Sequence, residues 1–221
     1  MIFNFFFKFM RRLKTLKHVQ LTGQRSKFLF AGSVNIHCAK GSRILVNGGI
    51  VRLGYPLPGH IQHASYATTE ITLEEGATLQ FNGDVCIAPG ATLFVGKKAT
   101  ATFAGHNFIS HNFKLICNKE FRIGTYSNTS WNVTLIDDDL HRFRRPDGQV
   151  LRGLTRPLII GENVGLQMNV TIPRGVEIGN CAVIAGGTTV RQDIPQFTTS
   201  FEDAKIKVKH GLCCGPIPEK N

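Results

Sequence analysis

The residues of this 221-residue chain best suited to chemistry are three consecutive carboxylates and a histidine, Asp137-Asp138-Asp139-Leu140-His141. An imidazole near its own pKa at neutral pH can take the proton of a hydroxyl as that oxygen attacks, typically contributing ~10²–10⁴-fold. A neighbouring carboxylate, Asp137 or Asp139, can fix its tautomer and stabilise the imidazolium that forms; proximity alone favours Asp139. By spacing alone the run reads more simply as a solvated corner at which His141 opens a loop. The case for catalysis therefore depends on what surrounds it.

Two further groups could bind ligands. Arg142, Arg144, Arg145, Arg152 and Arg156 follow His141 with one acid, Asp147, among them. Guanidinium groups at that density suit the phosphates of a cofactor or of an anionic acceptor, and equally a solvated basic loop. His106 and His111, five residues apart, are of a type that ligates zinc. The six cysteines (Cys38, Cys86, Cys117, Cys181, Cys213, Cys214) contain no Cys-x-x-Cys pair, which points to free thiols in a reducing compartment. The sequons at Asn128, Asn132 and Asn169 carry little meaning there.

The elements that must position these groups show a period of six. Ile160, Leu166, Ile172, Ile178, Ile184 and Val190 form one column, and Val164, Val170, Val176, Ala182, Thr188 and Ile194 form a second, four residues on. An α-helix cannot keep positions six apart on one face, and a strand of 36 residues does not occur in compact domains. A coil with three sides of about six residues satisfies both columns, with the first pointing inward and the second at the corners, each turn stacking on the last at roughly 4.8 Å. Upstream, Ile123, Thr129 and Leu135 continue the first column and Ser127, Val133 and Asp139 the second. Leu73, Leu79 and Val85 keep the spacing further back, and Ile87, Leu93 and Ala99 keep it in a shifted frame. That slip predicts loops or imperfect coils between about Gly96 and Arg122.

The division expected is residues 1–30 as a basic, Phe-rich cap or membrane-surface anchor, 31–200 as the β-helix with an inserted loop at 140–157, and 201–221 as a short helix and tail. The net charge is +11, and residues 1–69 supply ten positive charges with no Asp or Glu before Glu70. Phe3, Phe5, Phe6, Phe7, Phe9 and Met10 lead straight into the cluster from Arg11 to Lys17, a pattern that suits an anionic membrane surface through residues 1–17. Packing on the domain or on a partner subunit is the plainer alternative. The stretch is too short to span a bilayer, its charges follow the apolar part where an export signal has them in front, and its aromatics do not interleave with the cations as in nucleic-acid binders. A cytoplasmic protein, peripheral to the cell membrane and without a nucleic-acid partner, is expected.

The run Trp131-Asn132-Val133-Thr134-Leu135-Ile136-Asp137-Asp138-Asp139-Leu140-His141, then Pro157-Leu158-Ile159-Ile160-Gly161-Glu162-Asn163-Val164, then Ala185-Gly186-Gly187-Thr188-Thr189-Val190-Arg191-Gln192-Asp193-Ile194-Pro195, resembles the hexapeptide-repeat acyltransferases that modify sugars in capsule and lipopolysaccharide synthesis. The resemblance covers roughly residues 40–200. It implies an all-β fold, a left-handed parallel β-helix of hexapeptide repeats with short terminal helices. It also implies a homotrimer, with acetyl transfer from acetyl-CoA to a hydroxyl of a free, nucleotide-linked or lipid-linked sugar. His141 is then the base, Asp137 or Asp139 its partner, and Gly186, Gly187, Thr188, Arg191 and Lys205 the acetyl-CoA side; no metal is expected.

The chain departs from that pattern in three places. Gly165 and Gln167 stand where relatives have Trp and Gly, at a corner near the cofactor. Phe201-Glu202-Asp203 replaces Gly-Asn-Pro, and Pro173-Arg174 stands where Leu or Lys is common. These departures leave two other functions open. One is a catalytically degenerate trimeric scaffold. The other resembles the zinc-dependent β-helical carbonic anhydrases, with His106 and His111 as ligands and Glu70 where the third histidine belongs, unless His141 replaces it.

Overall fold

The computed structural model describes residues 17–55, 67–140 and 155–200. Its strands wind through three faces in turn and form parallel sheets of seven, eight and six strands. Within one coil the chain runs through Val19–Thr22 on the first face, Lys27–Phe30 on the second and Val34–Cys38 on the third. In the next coil Val19 is opposite Ile44, Phe28 opposite Val51 and Ile36 opposite Ile71. This is the parallel β-helix of hexapeptide repeats that the two columns require. Both columns are inside: Ile160, Leu166, Ile172, Ile178, Ile184 and Val190 are at most 3% exposed, and Val164 to Ile194 at most 7%.

The register slip has a different cause from the one expected. Between Gly96 and Arg122 the chain forms the regular strands Thr100–Phe103, Asn107–Ile109 and Lys114–Cys117. The coil itself changes size. Leu79 stacks on Ala101, 22 residues on, Ala101 on Phe121 after 20, and Ile160 on Ile178 after 18. Longer sides carry two inward residues each, so the wider part of the prism takes Phe81, Phe103, Phe113 and Phe121, all fully buried. Phe81 stacks on Phe103 at 5.3 Å, and Phe103 meets Phe121 edge-on at 5.6 Å. The narrow C-terminal coils are filled by aliphatic pairs instead, Val170 with Ile172 and Val176 with Ile178.

Many of the corners require a sharp reversal, and there the chain supplies a residue at positive φ. Between the second and third faces these are Gly90, Asn112, Asn132, Asn169 and Gly187, with φ of 80, 57, 59, 59 and 79°. Asparagine is the side chain that tolerates this region best after glycine. The three asparagines also form a ladder, Asn112 Nδ2 donating to Asn132 Oδ1 at 3.2 Å and Asn132 Nδ2 to Asn169 Oδ1 at 3.1 Å. Two of the sequons are thus corner residues.

Among the described residues the solenoid strands begin at Val19, so residues 19–30, expected in a cap, hold the strands Val19–Thr22 and Lys27–Phe30. The described residues contain no helix; the helix and tail expected at 201–221 lie outside them, as do residues 1–16. Cys38, Cys86, Cys117 and Cys181 are free thiols.

Candidate active site

The carboxylate run leaves the strand Thr134–Ile136 at the corner between the third and first faces. Leu115 pairs with Leu135 and Ile116 with Ile136, so Asp137 stacks on Cys117 and points inward, 1% exposed. Asp139, expected at an inner corner position, is half-buried instead. The corner of the preceding coil explains a carboxylate in the core. Asp137 Oδ1 accepts from the Asn118 N–H at 2.6 Å, and Oδ2 accepts from those of Lys119 and Glu120 at 2.8 and 2.9 Å. Three backbone donors that the turn leaves without a strand partner are satisfied by one side chain. Below it, burial and the nearby Asp137 charge push the Cys117 thiol far up, so this cysteine is not a nucleophile.

Asp138 fixes the exit of the chain. Its Oδ1 accepts from the Leu140 N–H at 2.6 Å and its Oδ2 from Asn118 Nδ2 at 3.0 Å. The chain turns outward at Leu140, with φ of 58°, and returns to an antiparallel bridge between Thr155 and Asp138. Arg156 N–H donates to the Asp137 carbonyl at 3.0 Å. The inserted loop is therefore pinned at its base. His141 and residues 142–154 lie outside the described residues, whereas the positions that launch them are fixed.

Asp139 meets a residue that sequence reasoning did not assign a role. Arg174 Nε lies 2.6 Å from Asp139 Oδ1, with the two side chains 26% and 28% exposed. The hydrogen bond to Asp139 raises the Arg174 pKa further, so the guanidinium stays cationic. Arg174 sits one coil above Asp139 because Leu135 pairs with Ile172. Its only signal in the sequence was that it stands where related sequences have another residue.

The residues expected on the acetyl-CoA side occupy a different corner. Gly186 and Gly187 turn the chain from the second face to the third, both exposed. A Cβ on Gly187 would meet nothing within 4 Å, whereas one on Gly186 would sit 3.2 Å from Met168. Gln167 Oε1 accepts from the Gly186 N–H at 3.0 Å. Thr188 belongs to the buried column, 5% exposed, and Arg191 is exposed at the corner that also carries Asp139 and Arg174. Lys205 lies outside the described residues. Along the glycine corner runs a groove of about 400 Å³ lined by Gly90, Asn112, Lys114, Asn132, Thr134 and Asn169.

Residues 157–192 match the family model described as bacterial transferase hexapeptide, six repeats. The chain carries hexapeptide repeats. Among solved structures, similarity extends to the polysialic-acid-specific acetyltransferase NeuO, at 20% identity over 95% of this chain and 87% of that one, with a TM-score of 0.48. It extends also to the polysialic acid O-acetyltransferase OatWY, at 16% identity over 92% and 94%, with a TM-score of 0.38. A search of curated proteins finds no match.

Within the hexapeptide segment, Gly165 is not at a corner. It points outward from mid-face in the strand Gly165–Leu166, paired with Asn128 and Val183, and a Cβ there would clear the Val183 methyls by 3.9 Å. The expected corner change is therefore a shallow dent in a flat face. His106 and His111 end up at opposite ends of the strand Asn107–Ile109. His106 is stacked on Tyr126 at 4.6 Å and 4°, and His111 is 5% exposed. Among the described residues no three His, Cys, Asp or Glu side chains gather into a metal-holding group.

Proposed function

We propose that the chain transfers an acetyl group from acetyl-CoA to a sugar hydroxyl in cell-surface polysaccharide synthesis, with His141 as general base. The observation that carries the reading is the pinned corner: Asp138 and the Thr155 bridge launch the chain at Leu140, one residue before His141, next to the Asp139–Arg174 pair. A base acts only if it is held within hydrogen-bond reach of the proton it removes, and this corner supplies a rigid mount. His141 takes the hydroxyl proton as the oxygen attacks the thioester carbonyl. The tetrahedral intermediate then expels the CoA thiolate, which recovers the proton. Asp137 has both oxygens committed to backbone donors, so Asp139, steadied by Arg174, is the carboxylate we assign to positioning the imidazole.

The open glycine corner and its groove fit an extended pantetheine chain, with Arg191 and Lys205 available to phosphates. Gly186–Gly187 and Asp139 lie on different corners of one prism, which supports a homotrimer in which a neighbouring copy brings the two together. The acceptor is a free, nucleotide-linked or lipid-linked sugar. A cytoplasmic location, peripheral to the membrane, fits the basic N-terminal side; no helix among the described residues is long and apolar enough to cross a bilayer.

One observation favours the scaffold alternative: Gln167 occupies the Gly186 N–H that a pantetheine carbonyl could otherwise use. Calorimetry with acetyl-CoA separates the two. A transferase binds the thioester and then releases CoA when a panel of sugar acceptors is supplied, and a chain that binds no acetyl-CoA is a scaffold.

A further inference from the structure

The asparagine ladder between the second and third faces ends on unused donors. Gly90, Asn112, Asn132, Asn169 and Gly187 hold this corner on successive coils, all at positive φ. Backbone bonds stack them. The N–H groups of Asn112, Asn132, Asn169 and Gly187 donate to the carbonyls of Pro89, His111, Trp131 and Met168, at 3.3, 3.0, 3.1 and 2.9 Å. The corner side chains therefore follow one another at the coil spacing of roughly 4.8 Å.

The ladder has a direction. Asn112 donates to Asn132 and Asn132 to Asn169, so each amide nitrogen faces the coil that follows. At the start, a Cβ on Gly90 would lie 2.4 Å from Asn112 Oδ1, so the first rung fills that place. At the end, a Cβ on Gly187 would meet nothing within 4 Å, and the fourth rung is missing. Asn169 Nδ2 accordingly has no acceptor among the described residues. An amide nitrogen carries two hydrogens, so Asn132 also keeps one to spare. The neighbouring backbone donor is already in use, since the Gly186 N–H donates to Gln167 Oε1 at 3.0 Å.

We infer that Asn132 and Asn169 bind the two amide carbonyls of an extended pantetheine arm, one of which supplies the missing rung over Gly187. The inference rests on acetyl-CoA being the acyl donor. Its support is a match of spacing. The β-alanine unit between the two pantetheine amides is one backbone atom longer than an α-residue, so its extended repeat is roughly 3.4 Å plus about 1.3 Å, close to the coil spacing of ~4.8 Å. Parity matches too. Successive carbonyls of an α-peptide strand alternate sides, whereas the extra atom of β-alanine returns both to the same side. Both can then accept from one column of donors. Lys114 and Thr134 line the groove beside that column.

The test is titration calorimetry of the full chain with acetyl-CoA and with uncharged acetyl-pantetheine. Two variants separate ligand binding from corner structure. Asn169→Gly removes the side chain at a φ of 59°, which glycine adopts without strain, as it does at Gly90 and Gly187. Asn169→Asp keeps an oxygen for Asn132 Nδ2 but cannot donate. Each is expected to weaken both ligands about three- to tenfold, the worth of one neutral hydrogen bond, and adding Asn132→Gly to Asn169→Gly should weaken them by a similar factor again. Adenosine 3′,5′-bisphosphate has the nucleotide without the arm, so its affinity should not change. Wild-type affinity in Asn169→Asp would mean that the side chain serves only the ladder, and it overturns the inference, as does equal weakening of the bisphosphate. A wild-type chain that binds neither thioester refutes the acetyl-CoA reading itself, whereas binding indifferent to Asn169 refutes this inference alone.

Discussion

Arg174 Nε stands 2.6 Å from Asp139 Oδ1, an ion pair that ties the corner of one coil to the corner of the next. Arg174→Leu is expected to lower kcat about tenfold, equivalent to ~1.4 kcal/mol in the transition state, with the KM for acetyl-CoA little changed. Stability should fall by no more than about 1 kcal/mol, because the pair is partly open to solvent. Arg174→Lys should recover only part of the rate, since an ammonium keeps the charge and loses the planar fork. A full rate in Arg174→Leu removes Arg174 from any positioning role.

His141→Ala should lower kcat by ~10²–10⁴-fold, with acetyl-CoA affinity and assembly state unchanged. His141→Gln should be nearly as slow, because it accepts a hydrogen bond but cannot take the proton at neutral pH. Asp139→Asn should cost less than either. His106→Ala, which removes only the ring stacked on Tyr126, serves as the control and should leave turnover within severalfold. Retained activity in His141→Ala refutes the assignment; loss of bound zinc in both histidine variants replaces it with a metal site.

Asp137→Asn is predicted to act on stability. The carboxylate accepts three backbone N–H groups in the core, and an amide turns one of its oxygens into a donor facing donors. Leaving buried donors unsatisfied costs on the order of 1–3 kcal/mol, more for charge-assisted bonds. Urea unfolding should show a lowered midpoint, whereas Asp138→Asn, at a partly exposed position, should change it less.

Two glycines separate crowding from open surface. A Cβ at Gly124 would lie 2.5 Å from the Gly161 backbone in the next coil, whereas one at Gly165 has ordinary contacts at 3.9 Å. Gly124→Ala should destabilise by about 1–3 kcal/mol through overpacking, and Gly165→Ala should stay within about 0.5 kcal/mol. If acetyl-CoA affinity rises in Gly165→Trp, the outward dent lies beside the bound thioester.

The hexad columns made the core of the C-terminal coils legible because coils of 18 residues repeat a six-residue side without remainder. The wider coils hid their register: sides of changing length move the inward positions, so a fixed period of six assigned Asp139 to an inner corner where the structure buries Asp137. Three adjacent aspartates look alike in sequence, and only the pairing of Leu115 with Leu135 shows which one faces in. Arg174 was illegible for another reason. Its partner is 35 residues away across an insertion, and neither residue type nor spacing announces a pair between coils.

The narrowing of the prism also sets where it comes apart. Strands near the start are four or five residues long, as in Val34–Cys38 and Arg43–Asn47, whereas Glu177–Ile178 and Val183–Ile184 have two. In a stack where each coil touches only its neighbours, stability is roughly the sum of local contributions, and coils with fewer ladder bonds open first. Amide exchange should therefore be fastest at the C-terminal end and slow towards the phenylalanine-filled middle. The glycine corner lies in that soft region, so a ligand gripping Gly186 and Gly187 would gain its footing by quieting local opening, and its binding should be seen as protection spreading upstream from the last coils.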